Sequence, residues 1–293
     1  MEGPGIGGPE RWPVLDDPAS EPGFVRPEVC PLKILVTVKL VPDTNADKRI
    51  DPATMRLVRT GVETVLNPFD EYALEAALQL KEKLNDGSTV TVVSMTAPAN
   101  KEIVRKALAM GADDAVMVSD DTLAGSDLWG TAVALAAAIK AQSPDIVLMG
   151  TQSTDAISGD LPGMIAEKLG LPGLTYARKV EVADGRVRVQ RETDNGYMTL
   201  SAPLPAVVSI TKSANEPRYP SLKGIMGAKK KEIKQLAAAD LALGVTVGTD
   251  GAKAKLVNVA TPPVRGKGRV VTAADGADGA RIIVDFLKER KFL

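Results

Sequence analysis

Short apolar runs rich in β-branched residues alternate with helix-periodic stretches from Lys33 to Leu169, and this alternation most constrains the fold. "KILVTVKL", starting at Lys33, suits a strand covered on both faces. Asn67-Pro68 opens a helix, since Asn is a favoured N-cap and Pro a favoured first helical residue. Phe69, Tyr72, Ala73, Ala76, Ala77, Leu80 and Leu84 then share one stripe, and Glu71, Glu75, Gln79 and Glu82 are expected to face away from it. Strand "STVTVVSM" (88–95), helix Lys101–Met110 closed by Gly111, strand "DAVMVS", helix Ser126–Ala141, strand "DIVLMG" (145–150) and a helix near Leu161–Leu169 continue the series. Such alternation implies right-handed crossovers and a parallel sheet.

Past Pro172 the period changes to two. "RKVEVADGRVRVQRE" places Asp184-Gly185 between alternating runs, a hairpin signal, and "GYMTLSAPLPAVVSIT" adds another strand or two. The polar stretch 42–63 is expected to form a small hairpin or loop. The chain therefore divides into a leader over 1–32, an α/β domain over 33–212 with an antiparallel extension, a segment over 213–236, and a tail over 237–293. The leader is rich in Gly, Pro and acids and lacks the basic start and apolar centre of a signal peptide, so it reads as disordered or as an over-long start. The tail begins in a Gly/Ala-rich linker and ends in an amphipathic helix carrying Ile282, Ile283, Phe286 and Leu287; nothing marks it as part of the sheet.

Composition removes several classes of chemistry. The 293 residues contain no histidine, which excludes a Ser-His-Asp triad, imidazole acid–base catalysis and His-ligated metals. The single cysteine, Cys30, excludes an intrachain disulfide and a thiolate metal cage. Lys and Arg total 36 against 37 acids, so no global field draws nucleic acid, and 3% aromatics make a poor base-stacking platform. No apolar run approaches the ~20 residues of a membrane helix. A cytoplasmic location without membrane insertion is expected.

Ligands of open parallel sheets bind beyond the carboxyl ends of strands, where strand order reverses. The first candidate is the loop after the fourth strand, "GTQSTDAISGDLPG". Its glycines permit close backbone approach, Ser153, Thr154 and Ser158 offer hydroxyls, and the next helix presents free N–H groups to an anion such as phosphate. The same loop also reads as a solvated turn that caps a helix. It carries neither a Walker lysine nor a GxGxxG pattern. Asn67-Pro68-Phe69-Asp70 forms a second strand-to-helix junction, either a plain N-cap with a core phenylalanine or backbone set against an adenine ring. Arg191, Glu192 and Asp194 read as a solvated strand face, and Lys229–Lys231 as an exposed helix turn.

Seven blocks in order carry a resemblance: "VKLVPDT", "NPFDEYALEAALQLKE", "KALAMGADDAVMVSD", "DIVLMGTQSTD", "VQRETDNGYMTLSAPLPAVVSIT", "NEPRYPSLKGIMGAKKKEI" and "TPPVRGKG". Over about 33–293 the chain resembles the beta subunit of electron transfer flavoprotein, including the related FixA proteins. Asn195 and Met198 depart from the strand signature, and "AISGDLPG" replaces the acidic, Asn/Gln/Thr-rich stretch common in AMP-binding members.

The resemblance implies a Rossmann-like, adenine-nucleotide-hydrolase-like α/β fold with an antiparallel extension and a C-terminal arm that wraps an alpha subunit. It implies a non-enzymatic electron carrier. The heterodimer would hold one FAD, mostly on alpha, and beta would bury an AMP. Carried over by residue, AMP would meet Thr37, Asn67, Pro68, Phe69, Asp70 and Met95. It would also meet the loop made of Gly150, Thr151, Gln152, Ser153, Thr154, Asp155, Ala156, Ile157, Ser158, Gly159, Asp160 and Leu161. The 213–236 segment would be the recognition loop and basic helix. It would offer Leu222 to a hydrophobic pocket with Tyr219 and Ile225 in support, while Lys229, Lys230 and Lys231 add screened attraction. Implied partners are the alpha subunit, acyl-CoA and other flavin dehydrogenases, and a membrane quinone oxidoreductase. Two alternatives stand beside this: a bifurcating relative with a second FAD in place of AMP, and a stand-alone nucleotide-binding module like the universal stress proteins. The latter leaves the tail and the "NEPRYPSL" arm without a role.

Overall fold

The computed structural model describes residues 31–293 except 60, 261, 262, 264, 265 and 267. The expected leader, apart from Pro31 and Leu32, lies outside the described residues, as do Cys30 and most of the "TPPVRGKG" block. Among the described residues the elements run β1 (Lys33–Thr37), β2 (Leu40–Pro42), β3 (Ile50–Asp51), β4 (Arg56–Leu57), β5 (Thr64–Leu66), α1 (Pro68–Leu84), β6 (Thr89–Met95), α2 (Lys101–Met110), β7 (Asp114–Val118), α3 (Leu128–Gln142) and β8 (Ile146–Gly150). There follow α4 (Leu161–Leu169), β9 (Gly173–Ala183), β10 (Arg186–Thr193), β11 (Gly196–Pro203), β12 (Ala206–Ile210), α5 (Leu222–Lys230), β13 (Lys234–Leu236), α6 (Gly248–Gly251) and α7 (Gly276–Glu289).

The main sheet has the order β11-β10-β9-β12-β8-β1-β6-β7-β13. Pairing from β9 through β13 is parallel, and β10 and β11 extend the β9 edge as antiparallel strands. The expected Asp184-Gly185 turn joins β9 to β10, with both residues at positive φ (53° and 68°), as a tight two-residue hairpin requires. The 42–63 stretch is closed at its base by the antiparallel pair of β2 with β5 and carries a second small pair, β3 with β4.

β1 is central, so its side chains must be apolar on both faces. Ile34 and Val36 pack with Leu74, Ala77 and Leu78 of α1 and with Val104 and Leu108 of α2. Leu35 turns to the other face, among Val133 and Ile139 of α3 and Ile165 of α4. The chain thus lays helices on one face while it builds β6 and β7, then on the other with α3, as it crosses back to β8, and with α4 after it. The order reverses between β1 and β8, whose carboxyl ends diverge there.

The end of the 213–236 segment and the start of the tail depart from the sequence reading. Lys234–Leu236 adds β13 to the sheet, with Gln235 opposite Met117 of β7, and Leu236, Leu241 and Val247 complete the core on the α3 side. Three residues next to a lysine run are too few to leave a readable period. The compact unit therefore runs through Leu256, and 257–293 forms a second unit. Within that unit, α7 is N-capped by Asp275, whose side chain accepts from the Asp278 N–H, and the helix has no buried side chain.

Candidate functional site

Thr37, Met95 and Gly150 end β1, β6 and β8, and between these strand ends and the α3 N-terminus lies a cleft of about 390 Å³. Its walls include Thr37, Asn67, Asp70, Met95, Gly150, Thr151, Gln152, Ser153, Ala156, Ser158, Gly159 and Leu161. Pro68, Phe69, Thr154, Asp155, Ile157 and Asp160 do not reach the cleft surface. The lining mixes apolar Met95, Leu128, Leu135 and Met149 with polar Ser126, Thr131, Ser153 and Ser158, a composition suited to a flat base with a polar tail.

The junction of α1 with β8 has no room to spare. A Cβ on Gly150 would sit 2.5 Å from Asp70 Oδ1, 2.7 Å from the Phe69 carbonyl carbon and 2.9 Å from the Asp70 nitrogen. Only glycine lets the helix start meet the strand end. Asp70 is buried, and its Oδ2 accepts the Lys39 N–H at 2.8 Å. Burial pushes its carboxyl up to about 7, against hydrogen bonds from Asn67, Lys39 and Gly150 that favour the charged form.

Asn67 occupies the N-cap position of α1, but its side chain makes no cap bond, which corrects the sequence expectation. Its amide instead ties the helix start to the loop after β8. Nδ2 donates to the Gln152 carbonyl at 2.9 Å, and Oδ1 accepts the Thr154 N–H at 3.2 Å. Deeper in that loop, Asp155 lies between two cations, with Lys39 Nζ on Oδ1 and an Arg59 Nη on Oδ2, each at 2.7 Å. Burial alone would raise this carboxyl; Lys39, with help from Ser153 and Arg59, holds it below its ordinary value. Lys48 donates to the Thr154 carbonyl at 2.8 Å, so the 42–63 insertion grips the loop twice. Thr154 Oγ1 is buried and has no hydrogen-bond partner among the described residues.

The arm after β12 is clamped to α1. Asn215 Nδ2 donates to the Tyr72 carbonyl at 3.0 Å, and Arg218 pairs with both Glu75 and Glu82. Glu75, expected on the solvated face, is buried at 3% exposure, because Arg218 covers it and offsets the cost of burying its charge. Beyond the clamp the apolar side chains stand open: Tyr219 is 94% and Leu222 82% exposed, with Ile225 and Met226 beside them. Lys229 and Lys230 face solvent, whereas Lys231 turns inward and donates to the Ala112 carbonyl at 2.7 Å.

Sequence reasoning missed Lys39, Arg59, Ser126 and Asp127. Ser126 and Asp127 stand at the start of α3, a strand-to-helix junction of the same kind as the two singled out, so the strand-end rule could have found them. Asp127 caps α3 through the Gly130 N–H at 2.9 Å. Arg59 sits in a non-periodic insertion, where no local signal foretells its partner. Among the described residues, no group of three or more His, Cys, Asp or Glu side chains could hold a metal ion, and no helix is long and apolar enough to cross a membrane.

The family described as "Electron transfer flavoprotein domain" matches residues 54–241. The chain is 41% identical over 267 residues to an electron transfer flavoprotein subunit beta of Megasphaera elsdenii, covering 88% of this chain and 97% of that protein. It is 42% identical over 266 residues to the subunit of that name from Mycobacterium leprae, covering 89% and 99%. It is also 36% identical over 264 residues to the caffeyl-CoA reductase-Etf complex subunit CarD of Acetobacterium woodii, covering 89% and 100%.

Proposed function

Because the chain belongs to the electron transfer flavoprotein family, we propose that it works as a beta subunit, paired with an alpha subunit, in a heterodimeric cytoplasmic carrier of electrons. The carrier would take electrons from flavin dehydrogenases such as acyl-CoA dehydrogenases and deliver them to a membrane quinone oxidoreductase. FAD shared with the alpha subunit would supply the redox chemistry. This chain's own part is to shape the site, hold a nucleotide and recognise partners, without a substrate turnover of its own.

The observation that carries the reading is the cleft at the strand-order reversal. It gathers Thr37, Asn67 and Met95 with Gly150, Thr151, Gln152, Ser153, Ala156, Ser158, Gly159 and Leu161 of the loop, a mixed apolar and polar lining that supports AMP as the ligand. Apolar Met95, Leu135 and Met149 would cover the base. Ser153, Ser158 and the N–H groups at the α4 start would serve the ribose and phosphate, with Lys39 and Arg59 nearby. A ligand held by the native state alone would also stabilise the fold. The arm adds the recognition surface, with Leu222 as anchor and Tyr219 and Ile225 around it. Lys229 and Lys230 would chiefly speed encounter with acidic partners.

A second reading places another FAD where AMP would lie. It is favoured by an adjoining cleft of about 360 Å³ that shares Lys39, Arg59, Met95 and Ser126 with the first. Denaturing the purified heterodimer and separating its nucleotides by chromatography decides between them. One FAD with one AMP supports the carrier, two FAD support the second reading, and no nucleotide overturns both.

A further inference from the structure

The exposed apolar side chains of the arm sit on a mount that is fixed at three places. At its base Arg218 holds Glu75 through Nε to Oε2 at 2.7 Å and Nη2 to Oε1 at 3.0 Å. In its middle α5 crosses α2 at Gly224, where a Cβ would fall 2.3 Å from the Ala109 carbonyl oxygen. At its end Arg105 donates to the Ala228 carbonyl at 2.7 Å and the Lys231 carbonyl at 3.3 Å, closing the helix C-terminus. The Ser221 side chain caps the other end by accepting the Gly224 N–H at 3.0 Å. A mobile loop would not need a glycine-tight helix crossing two residues after its anchor.

We propose that Gly224 and Arg218 are positioning residues for partner docking: they fix the direction in which Leu222 is displayed, without touching the partner themselves. This rests on the docking role given above to Leu222. A rigid display leaves less conformational freedom to lose on binding, so partners engage without first ordering the arm. Adding one methyl at Gly224 must lift α5 from α2, which swings Leu222 while leaving its chemistry intact. Replacing Arg218 by Gln frees the base of the arm from Glu75, whereas Lys keeps a charge there.

The test is steady-state electron transfer from a reduced acyl-CoA dehydrogenase to the heterodimer, with flavin content and melting temperature measured on each variant. Gly224→Ala and Arg218→Gln are expected to raise KM for the heterodimer about tenfold, a loss of ~1.4 kcal/mol of docking free energy, with kcat and flavin content unchanged. Arg218→Lys should recover part of the loss. The double variant Leu222→Ala/Gly224→Ala should be no worse than Leu222→Ala alone, because aim is irrelevant once the anchor is gone. If Leu222→Ala raises KM but Gly224→Ala and Arg218→Gln do not, the positioning role is overturned and the docking role stands. If Leu222→Ala itself leaves KM unchanged, both fall. A joint loss of kcat and flavin in the Gly224→Ala and Arg218→Gln proteins would assign those residues to folding and overturn the inference.

Discussion

Arg218 lays its guanidinium on the buried carboxylate of Glu75, joining the arm after β12 to the middle of α1, 143 residues earlier in the chain. The contact is bidentate, and Glu82 takes the guanidinium's other edge. Hydrogen bonds from Arg218 outweigh burial and hold Glu75 below its ordinary value. A depressed carboxylate stabilises the fold above its unfolded value and loses that contribution as pH falls through the folded one. Glu75→Gln keeps the shape and removes the charge that Arg218 answers. We expect a loss of ~1–3 kcal/mol, seen as a lower denaturant midpoint at neutral pH. The gap between variant and parent should narrow at strongly acid pH, and a constant gap at all pH would contradict this account.

The close approach of Gly150 to Asp70 predicts that Gly150→Ala is damaging although the change is one methyl. The added carbon meets backbone atoms of Phe69 and Asp70, which cannot rotate away. Overpacking of this kind costs ~1–3 kcal/mol or more. The strain falls on the strand end and helix start that wall the cleft, so bound nucleotide should be lost along with stability. Chromatography of the denatured variant and a melting curve check both. A variant with full nucleotide content and parental melting would refute the packing argument.

Asp155 predicts a separable effect on the loop. It is buried and answers Lys39 and Arg59 at once, so Asp155→Asn leaves two cations without their counter-charge beside the cleft. The core layers do not include it, and a stability loss of only ~1–2 kcal/mol is expected. The main consequence is a looser Gly150–Leu161 loop. Nucleotide retention through a desalting column should fall more than melting temperature does, and equal losses would mean that the pair holds the fold rather than the site.

These contacts also mark what sequence could and could not carry. Strand and helix period placed β1, α1, β6, α2, β7 and β8 because each buries a regular face, and the reversal rule drew attention to the Gly150 loop. Glu75 could not be read, since one carboxylate in a polar helical stripe looks solvated until an arginine far along the chain covers it. Lys39, Arg59 and Asp155 come from three separate segments and form a cluster only after the sheet brings them together. β13 is too short for any period, and its place comes from the open edge of β7. Capping preference places Asn67 at the helix start, where it stands, but its amide serves the loop rather than the helix, a choice that depends on tertiary contacts.

Stability should also change with pH near neutrality, through Asp70. Asp70 is an acid whose folded value is raised to about 7, well above the ~3.9 of an exposed aspartate. Between those values the native state keeps a proton that the unfolded chain releases, so stability falls as pH rises from ~4 to ~7 and levels off above. This slope is opposite in sign to that of Glu75 and Asp155, whose depressed values make stability fall as pH drops, over a more acid range. Asp70→Asn cannot ionise and should abolish the neutral-range slope while leaving the acid limb in place. Urea midpoints for parent and variant, taken from pH ~4.5 to ~7.5, separate the two limbs. If the parent shows no fall in that range, or the variant shows the same fall, then Asp70 is already ionised in the fold. The three hydrogen bonds from Asn67, Lys39 and Gly150 would then outweigh its burial.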